Sequence, residues 1–156
     1  MSKINVQVKL LPHFVGLSLP KYETLGAAGL DIQAANSADE PIKIWPGERR
    51  LIPTGMKLAI PEGYEIQVRS RSGLALRNGI VVANGIGTID SDYRGELGVV
   101  LLNTNPPNSG EIFEVNRGAR IAQIVLSEVT QLDWQAVNVL PESKRGEDGF
   151  GSTKGY

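Results

Sequence analysis

Hydrophobic and polar residues alternate along much of the chain with the two-residue period of β-strands. Apolar side chains share one parity from Ile4 to Leu10, and the alternation recurs at 65–69. Such alternation is typical of a strand with one buried face. Further short apolar runs, separated by Gly, Pro or Asn clusters, occupy 42–45, 56–60, 98–102, 112–115 and 121–126. Many short strands with turn signals between them predict an all-β sandwich, jelly roll or barrel.

Two stretches depart from this alternation. Residues 72–77, SGLALR, look helical but are long enough for only a turn or two. Residues 98–102, GVVLL, are apolar at successive positions, so both faces of that strand are expected to be covered. This strand is either central in the chain's own sheet or buried against another subunit, and the sequence leaves both open.

Composition narrows the class of protein. With 156 residues, of which 41% are hydrophobic, the chain is expected to form one globular domain. Its net charge of -1 argues against non-specific nucleic-acid binding. Because it has no cysteine and a single histidine, His13, a disulfide framework, a thiolate metal site and a histidine cluster are excluded. The alternating N-terminus and the lack of long apolar runs predict a soluble, cytoplasmic protein with no membrane partner.

The composition shifts once, near the C-terminus. From Pro141 the chain is rich in glycine and charge, which predicts a folded domain at 1–140 and a mobile arm at 141–156. The arm offers a cation in Arg145, an aromatic face in Phe150, and hydroxyls in Ser152 and Thr153. These groups suit closure over a phosphorylated nucleotide, although a tail without a role remains the alternative.

Two internal stretches combine glycine with charge. RSRSGLA, at 69–75, places Arg71 and Ser72 before Gly73 and a possible helix start, where backbone N–H groups favour an anion. The alternative is a helix capped by Ser72, with Arg71 as a solvated charge. GIGTIDSDYRGE, at 85–96, gathers charge in a strand-like segment, for which a turn between strands is the simplest explanation.

Five stretches together resemble the five ordered motifs of the trimeric dUTP diphosphatases, or dUTPases. They are AAGLDIQA (27–34), RSRSGLA (69–75), NGIGTIDSDYRGE (84–96), RGARIAQIV (117–125) and RGEDGFGST (145–153). The resemblance implies a jelly-roll-like β-fold and a homotrimer whose active sites are shared between subunits. It also implies hydrolysis of Mg²⁺-bound dUTP to dUMP and pyrophosphate, which limits dUTP and supplies dUMP for thymidylate synthesis.

The resemblance also implies roles for single residues. Asp90 matches the carboxylate that deprotonates the attacking water, and Asp31 matches an aspartate near the water shell of the metal. The Mg²⁺ itself would be held mostly by phosphate oxygens and water. Residues 84–90 match a hairpin whose backbone pairs with uracil. The implied substrate contacts are Arg71, Ser72, Gly73, Asn84, Gly87, Thr88, Ile89, Tyr93, Gly98, Gln123, Arg145, Phe150, Gly151, Ser152 and Thr153.

Within these contacts, Tyr93 is expected to pack under the deoxyribose and exclude a 2′-hydroxyl. The neighbouring charges Asp92, Arg94 and Glu96 are assigned instead to ion pairs of the fold or between subunits. Three positions depart from the family pattern: Ser70 replaces a common proline, Asp148 a common glycine, and Lys154 interrupts the usual Ser-Thr-Gly.

Two other functions remain possible from the sequence. A dCTP deaminase shares the fold that the resemblance implies, but Val100 stands roughly where that enzyme has its glutamate. A non-catalytic nucleotide sensor on the same trimer is the other alternative. The presence of Asp90, Tyr93, Arg145 and Phe150 argues against it, because a site without chemistry has no need of this set.

Overall fold

The computed structural model describes residues 3–149, which fold as two antiparallel β-sheets around one core. The first sheet has the order β1-β4-β8-β6, the second has the order β2-β10-β5-β7, and β3 pairs with β9. The strands are β1 Gln7–Leu10, β2 Leu30–Gln33, β3 Ile42–Ile44, β4 Arg49–Ala59, β5 Tyr64–Arg69, β6 Ile80–Val82, β7 Ile86–Ile89, β8 Glu96–Asn103, β9 Phe113–Val115 and β10 Arg120–Glu128. A 3₁₀ turn covers Pro12–Phe14 and helix α1 covers Ser72–Asn78.

The core lies between the two large sheets. Ile52, Val99 and Leu101 enter it from the first sheet, and Ile32 and Ile121 enter it from the second, each almost wholly buried. Burial of one face of each sheet against the other defines a sandwich. The predicted all-β, jelly-roll-like class is confirmed.

Strand β8 resolves the two alternatives for residues 98–102. It lies between β4 and β6, and its residues alternate between fully and partly buried. Val99 and Leu101 face the core, whereas Val100 lies opposite Leu51, which is 66% exposed. The strand is therefore central in its own sheet. The face that does not pack on the core is partly exposed to solvent in the single chain.

Strand β4 is much longer than the predicted 56–60. It begins at Arg49 and passes through Pro53 and Gly55, which indicate a turn in a sequence. The ladder with β8 shifts register between Pro53 and Lys57, and Gly55 has a φ of 71° that favours glycine. Phe14 packs against Gly55, where a Cβ would lie 3.0 Å from the Phe14 Cβ. Sequence patterns therefore miss this strand, because the bulge that accommodates Pro53 and Gly55 is apparent only in the tertiary structure.

Other elements follow the predictions with differences at their ends. The predicted helix is present as α1, and it ends at Gly79 in the left-handed conformation. The N-terminal strand begins at Gln7 rather than Ile4, and all four of its residues are exposed, so the predicted buried face is wrong for this edge strand. Strands β2 and β6 were not predicted, although β3 and β9, which are no longer than these, were.

After Glu128 the described chain has no helix or strand, and residues 130–149 are exposed throughout. The division between a domain at 1–140 and an arm at 141–156 stays a prediction. Within residues 3–149, no helix is long and apolar enough to cross a membrane.

Candidate functional site

A pocket of about 260 Å³ opens where β7 ends and β8 begins. It brings together several of the predicted site residues from separate elements. Its lining is Leu51, Thr88, Ile89, Asp90, Tyr93, Glu96 and Gly98. Gly98 leaves room for Leu51, because a Cβ there would lie 2.7 Å from the Leu51 Cδ1. Leu51 itself was missed, since nothing local marks an exposed leucine in an unpredicted strand segment.

Tyr93 forms one wall of this pocket. Its hydroxyl donates a hydrogen bond to the main-chain oxygen of Glu96 at 3.1 Å, and its backbone N–H donates to the carbonyl of Asp90 at 3.2 Å. The ring lies over Gly95, where any Cβ would collide with it. The turn between β7 and β8 thus packs around the tyrosine, which is 46% exposed and lines the pocket.

Glu96 is tied to two other segments of the chain. One of its carboxylate oxygens accepts hydrogen bonds from His13 at 2.7 Å and from the Gly55 N–H at 2.8 Å. Burial alone would raise the pKa of Glu96. The hydrogen bonds from His13 and Gly55, together with the His13 charge, outweigh burial and hold that pKa below its ordinary value. The sequence placed Glu96 in an ion pair but did not identify His13 as its partner.

A larger open groove of about 1170 Å³ adjoins the pocket and shares Thr88 and Asp90 with it. Its charged lining residues are Glu62, Glu65, Asp90, Asp92 and Arg94. The Arg94 guanidinium donates to the carbonyls of Ser91 and Tyr93, so it holds its own turn together. Four carboxylates against one arginine form a poor environment for a triphosphate. A triphosphate in this groove would need cations from another part of the protein.

A second group of predicted residues meets on the other sheet edge. The Asp31 carboxylate, 10% exposed, lies 3.2 Å from Arg71 Nε and 3.5 Å from Arg120 Nη1. Arg71 also donates to the main-chain oxygen of Arg120 at 2.9 Å. Gln123 is opposite Asp31 in the β2–β10 ladder. Arg120 was missed as a site residue although it lies inside a quoted motif.

The loop before α1 differs from the capping alternative. Arg71 occupies the N-cap position, with no side-chain cap hydrogen bond, and Ser72 is the first helical residue. The Ser72 hydroxyl therefore remains available for a ligand. Ser70 is anchored, because its Oγ accepts the Val82 N–H at 2.8 Å. A serine at this position fastens the end of β5 to β6, in place of the rigidity that proline would supply.

The two groups of residues lie far apart within one chain. Asp31 is on β2 and Asp90 follows β7, at opposite edges of a four-stranded sheet about 14 Å across. Along the β5–β7 pair, Ile86 is opposite Arg69 and Ile89 is opposite Ile66. Arg71 therefore lies beyond one end of that pair and Asp90 beyond the other, more than about 10 Å apart along the strands.

The two strands that flank the predicted uracil-binding turn do not pair with each other, so they do not form a hairpin. A turn at 83–85, with Gly85 at a φ of 75°, connects β6 to β7, but β6 pairs with β8 and β7 pairs with β5. Asn84 is exposed beside Gly87, where a Cβ would lie 3.2 Å from both the Asn84 Nδ2 and the Val68 Cβ. Neither residue lines the pocket.

The remaining predicted residues belong to the C-terminal segment. Arg145 is exposed, and its Nε donates to the main-chain oxygen of Asp148 at 2.6 Å. Phe150, Gly151, Ser152, Thr153 and Lys154 lie outside the described residues. Within residues 3–149, no three His, Asp or Glu side chains form a cluster that could hold a metal ion.

Comparison with known proteins relates the whole chain to one family. The family model described as dUTPase matches residues 16–154. A deoxyuridine 5′-triphosphate nucleotidohydrolase of Maricaulis maris is 52% identical over 153 residues, which cover 98% of each chain. A mutant dUTPase of Staphylococcus bacteriophage 80alpha with dUpNHpp has a TM-score of 0.84 and 27% identity, over 97% of this chain and 99% of that one. A mutant dUTPase from phage phi11 of S. aureus, described as coordinating a structural Mg(II) ion, has a TM-score of 0.76 and 25% identity, over 89% of this chain and 100% of that one.

Proposed function

Since the chain belongs to the dUTPase family and hydrolyses dUTP, we propose that Asp90 is the general base of that reaction. The observation that carries this proposal is the pocket that joins Asp90 to Thr88, Ile89, Tyr93 and Gly98. Tyr93 supplies an aromatic wall, as a sugar and base require, and Asp90 belongs to the same lining.

To act as the general base, Asp90 needs mainly the correct position. The carboxylate accepts a proton from a water molecule, the resulting hydroxide attacks the α-phosphorus in line, and the bond to the β-phosphate oxygen breaks. dUMP and pyrophosphate are the products. Asp90 is exposed, and its carboxylate makes no hydrogen bond or ion pair with the part of the chain that the structure describes, so it can hold a water.

The pocket supplies selectivity for the nucleoside. Tyr93 packs under the deoxyribose, where a 2′-hydroxyl would meet the ring. We propose that backbone groups from Asn84 to Asp90 pair with uracil. The position of Thr88 and Ile89 supports this role, because both residues line the pocket beside Asp90. A mismatched polar edge would leave buried groups unpaired, which excludes a cytosine base.

The phosphates are proposed to bind at Arg71, Ser72 and Gly73, with Gln123 beside them. Mg²⁺, when bound with the substrate, would supply positive charge that neutralises the triphosphate, and phosphate and water oxygens would hold most of it. Asp31 fits a role in which it contacts the metal through a water molecule. A carboxylate has about four lone-pair positions, and each Asp31 oxygen has only one guanidinium nearby.

We propose that the protein is a homotrimer with shared active sites. The position of Arg71 supports this, because its guanidinium is held by Asp31 on β2 and by the main chain of Arg120 on β10, on the side of β5 away from Asp90. The acidic groove beside Asp90 also needs cations that the chain itself places elsewhere. The half-open apolar face around Leu51 and Val100 offers surface for subunit contact.

The C-terminal segment is proposed to close over the bound nucleotide through Arg145, Phe150, Gly151, Ser152 and Thr153. The exposed and irregular course of residues 130–149 supports a segment that reaches away from its own domain. A cytoplasmic location stays a prediction. The dCTP deaminase alternative is not favoured, since the relatives are dUTP hydrolases and Val100 has no ionisable group.

The proposal is tested by Asp90→Asn. An amide can hold a water but cannot take its proton, so turnover of dUTP should fall about 10²-fold or more while nucleotide affinity is kept. Pyrophosphate release measures turnover, and calorimetry with a non-hydrolysable dUTP analogue measures affinity. Turnover within a few-fold of wild type would remove Asp90 from the role of base.

A further inference from the structure

The chain's single histidine is connected to the nucleoside pocket by short hydrogen bonds. His13 Nε2 lies 2.7 Å from a Glu96 carboxylate oxygen, across 83 positions of sequence. A carboxylate only accepts hydrogen bonds, so Nε2 carries the proton of this contact. The same oxygen accepts the Gly55 N–H at 2.8 Å. One oxygen atom therefore joins the 3₁₀ turn, the bulge of β4 and the first residue of β8.

The backbone of His13 is held firmly on its other side. The Arg117 guanidinium donates to the carbonyl oxygens of His13 at 2.8 Å and of Val15 at 2.7 Å. Phe14, between them, is 6% exposed and packs against Gly55. The imidazole thus projects from a fixed turn. In this contact His13 is the anchored partner, and it sets where the Glu96 side chain lies.

Glu96 in turn determines where Tyr93 lies. The Tyr93 hydroxyl donates to the Glu96 main-chain oxygen at 3.1 Å, and the ring packs over Gly95 between them. Both residues line the 260 Å³ pocket. A shift of the Glu96 backbone therefore moves the acceptor that holds the tyrosine hydroxyl.

We propose that His13 is a positioning residue for sugar selectivity, which holds Glu96 and through it keeps the Tyr93 ring against the deoxyribose. The inference rests on the proposed role of Tyr93 in excluding a 2′-hydroxyl. His13 does not itself line the pocket, so it should affect the fit of the nucleoside and leave the proton transfer at Asp90 intact.

The test compares UTP and dUTP as substrates for His13→Ala. The ratio of kcat/KM for UTP to that for dUTP should rise about threefold to tenfold, by less than in Tyr93→Ala. The KM for dUTP should rise while kcat stays within about twofold. His13→Gln keeps an N–H donor and should recover much of the wild-type ratio. Lys43→Ala, which breaks the exposed pair with Glu114 on β3 and β9, is the matched control and should change nothing.

A double-mutant cycle with Tyr93→Phe identifies the route. That variant keeps the ring but removes the hydroxyl that reaches Glu96. If His13 acts through this hydrogen bond, the double variant should show nearly the same substrate ratio as Tyr93→Phe alone. Ratios that multiply would overturn the proposal, because they would mean that the two residues act separately.

The outcomes separate this inference from its premise. An unchanged ratio in Tyr93→Ala would refute the role of Tyr93 and, with it, the inference. A raised ratio in Tyr93→Ala with an unchanged one in His13→Ala would overturn only the inference. A lower melting temperature in His13→Ala without a change in ratio would overturn it as well, since the histidine would then only stabilise the fold.

Discussion

Two inactive variants should restore each other's activity if the two halves of the site belong to different chains. Asp90→Asn removes the base beside β7, and Arg71→Gln removes a cation beyond the far end of β5. Within one chain these positions follow the neighbouring strands β7 and β5 but lie beyond opposite ends of that pair, more than about 10 Å apart along the strands. Each variant alone should be inactive, because all three sites of its trimer lack one part.

The expected recovery of activity follows from how the two kinds of chain assort into trimers. If the variants are unfolded together in equal amounts and refolded, about three quarters of the trimers contain both kinds of chain. In a closed ring of three, every mixed trimer has one interface that joins an intact Asp90 to an intact Arg71. One working site in three, in about three quarters of the trimers, returns about a quarter of wild-type activity.

Pyrophosphate release at saturating dUTP measures the recovery, and a tag on one variant shows that chains have mixed. The matched control pairs Arg71→Gln with Asp31→Asn. These side chains contact each other at 3.2 Å within one chain, so no assortment can rebuild their cluster and activity should stay absent. If the Asp90→Asn and Arg71→Gln mixture forms mixed trimers and remains as inactive as its parents, the shared site is refuted.

Three further predictions follow from single features. Removal of the chain after Pro141 should leave the melting temperature nearly unchanged, because the described part of this segment is exposed. It should nevertheless abolish most dUTP hydrolysis, and an active truncated enzyme would contradict the closing role of Arg145. Because the pKa of Glu96 is depressed in the folded state, its stabilising contribution is complete above the ordinary glutamate pKa and is lost as pH falls through the lower folded value. Acid titration of the melting temperature should therefore be shallower in Glu96→Gln, and parallel curves would show that Glu96 titrates normally. Gly98→Ala places a Cβ 2.7 Å from the flexible, exposed end of Leu51, so stability should change little while the KM for dUTP rises; an unchanged KM would place the nucleoside elsewhere.

Local patterns identified the elements whose signal is contained in neighbouring residues. The period of two marks β5, a short apolar run marks β10, and the SGLALR stretch marks α1, because these patterns are properties of a few consecutive side chains. The resemblance added the expected roles of Asp90 and Tyr93, whereas Arg71 was already a candidate from its place before Gly73 and a possible helix start. The long β4 strand escaped detection, since Pro53 and Gly55 indicate a break unless the bulge that accommodates them is known.

Which residues meet is a property of strand pairing over long sequence separations. Asp31 and Gln123 are neighbours only because β2 pairs with β10, and His13 reaches Glu96 only because the 3₁₀ turn packs on the β4 bulge. No periodicity encodes such pairs, because they depend on the free energy of the whole core. The amino-acid order therefore identified several of the strands and, through the resemblance, the candidate groups of the site. The folded sheet placed Asp31 and Asp90 at its two edges, with Arg71 held at Asp31, and this separation makes a site shared between chains the arrangement to test.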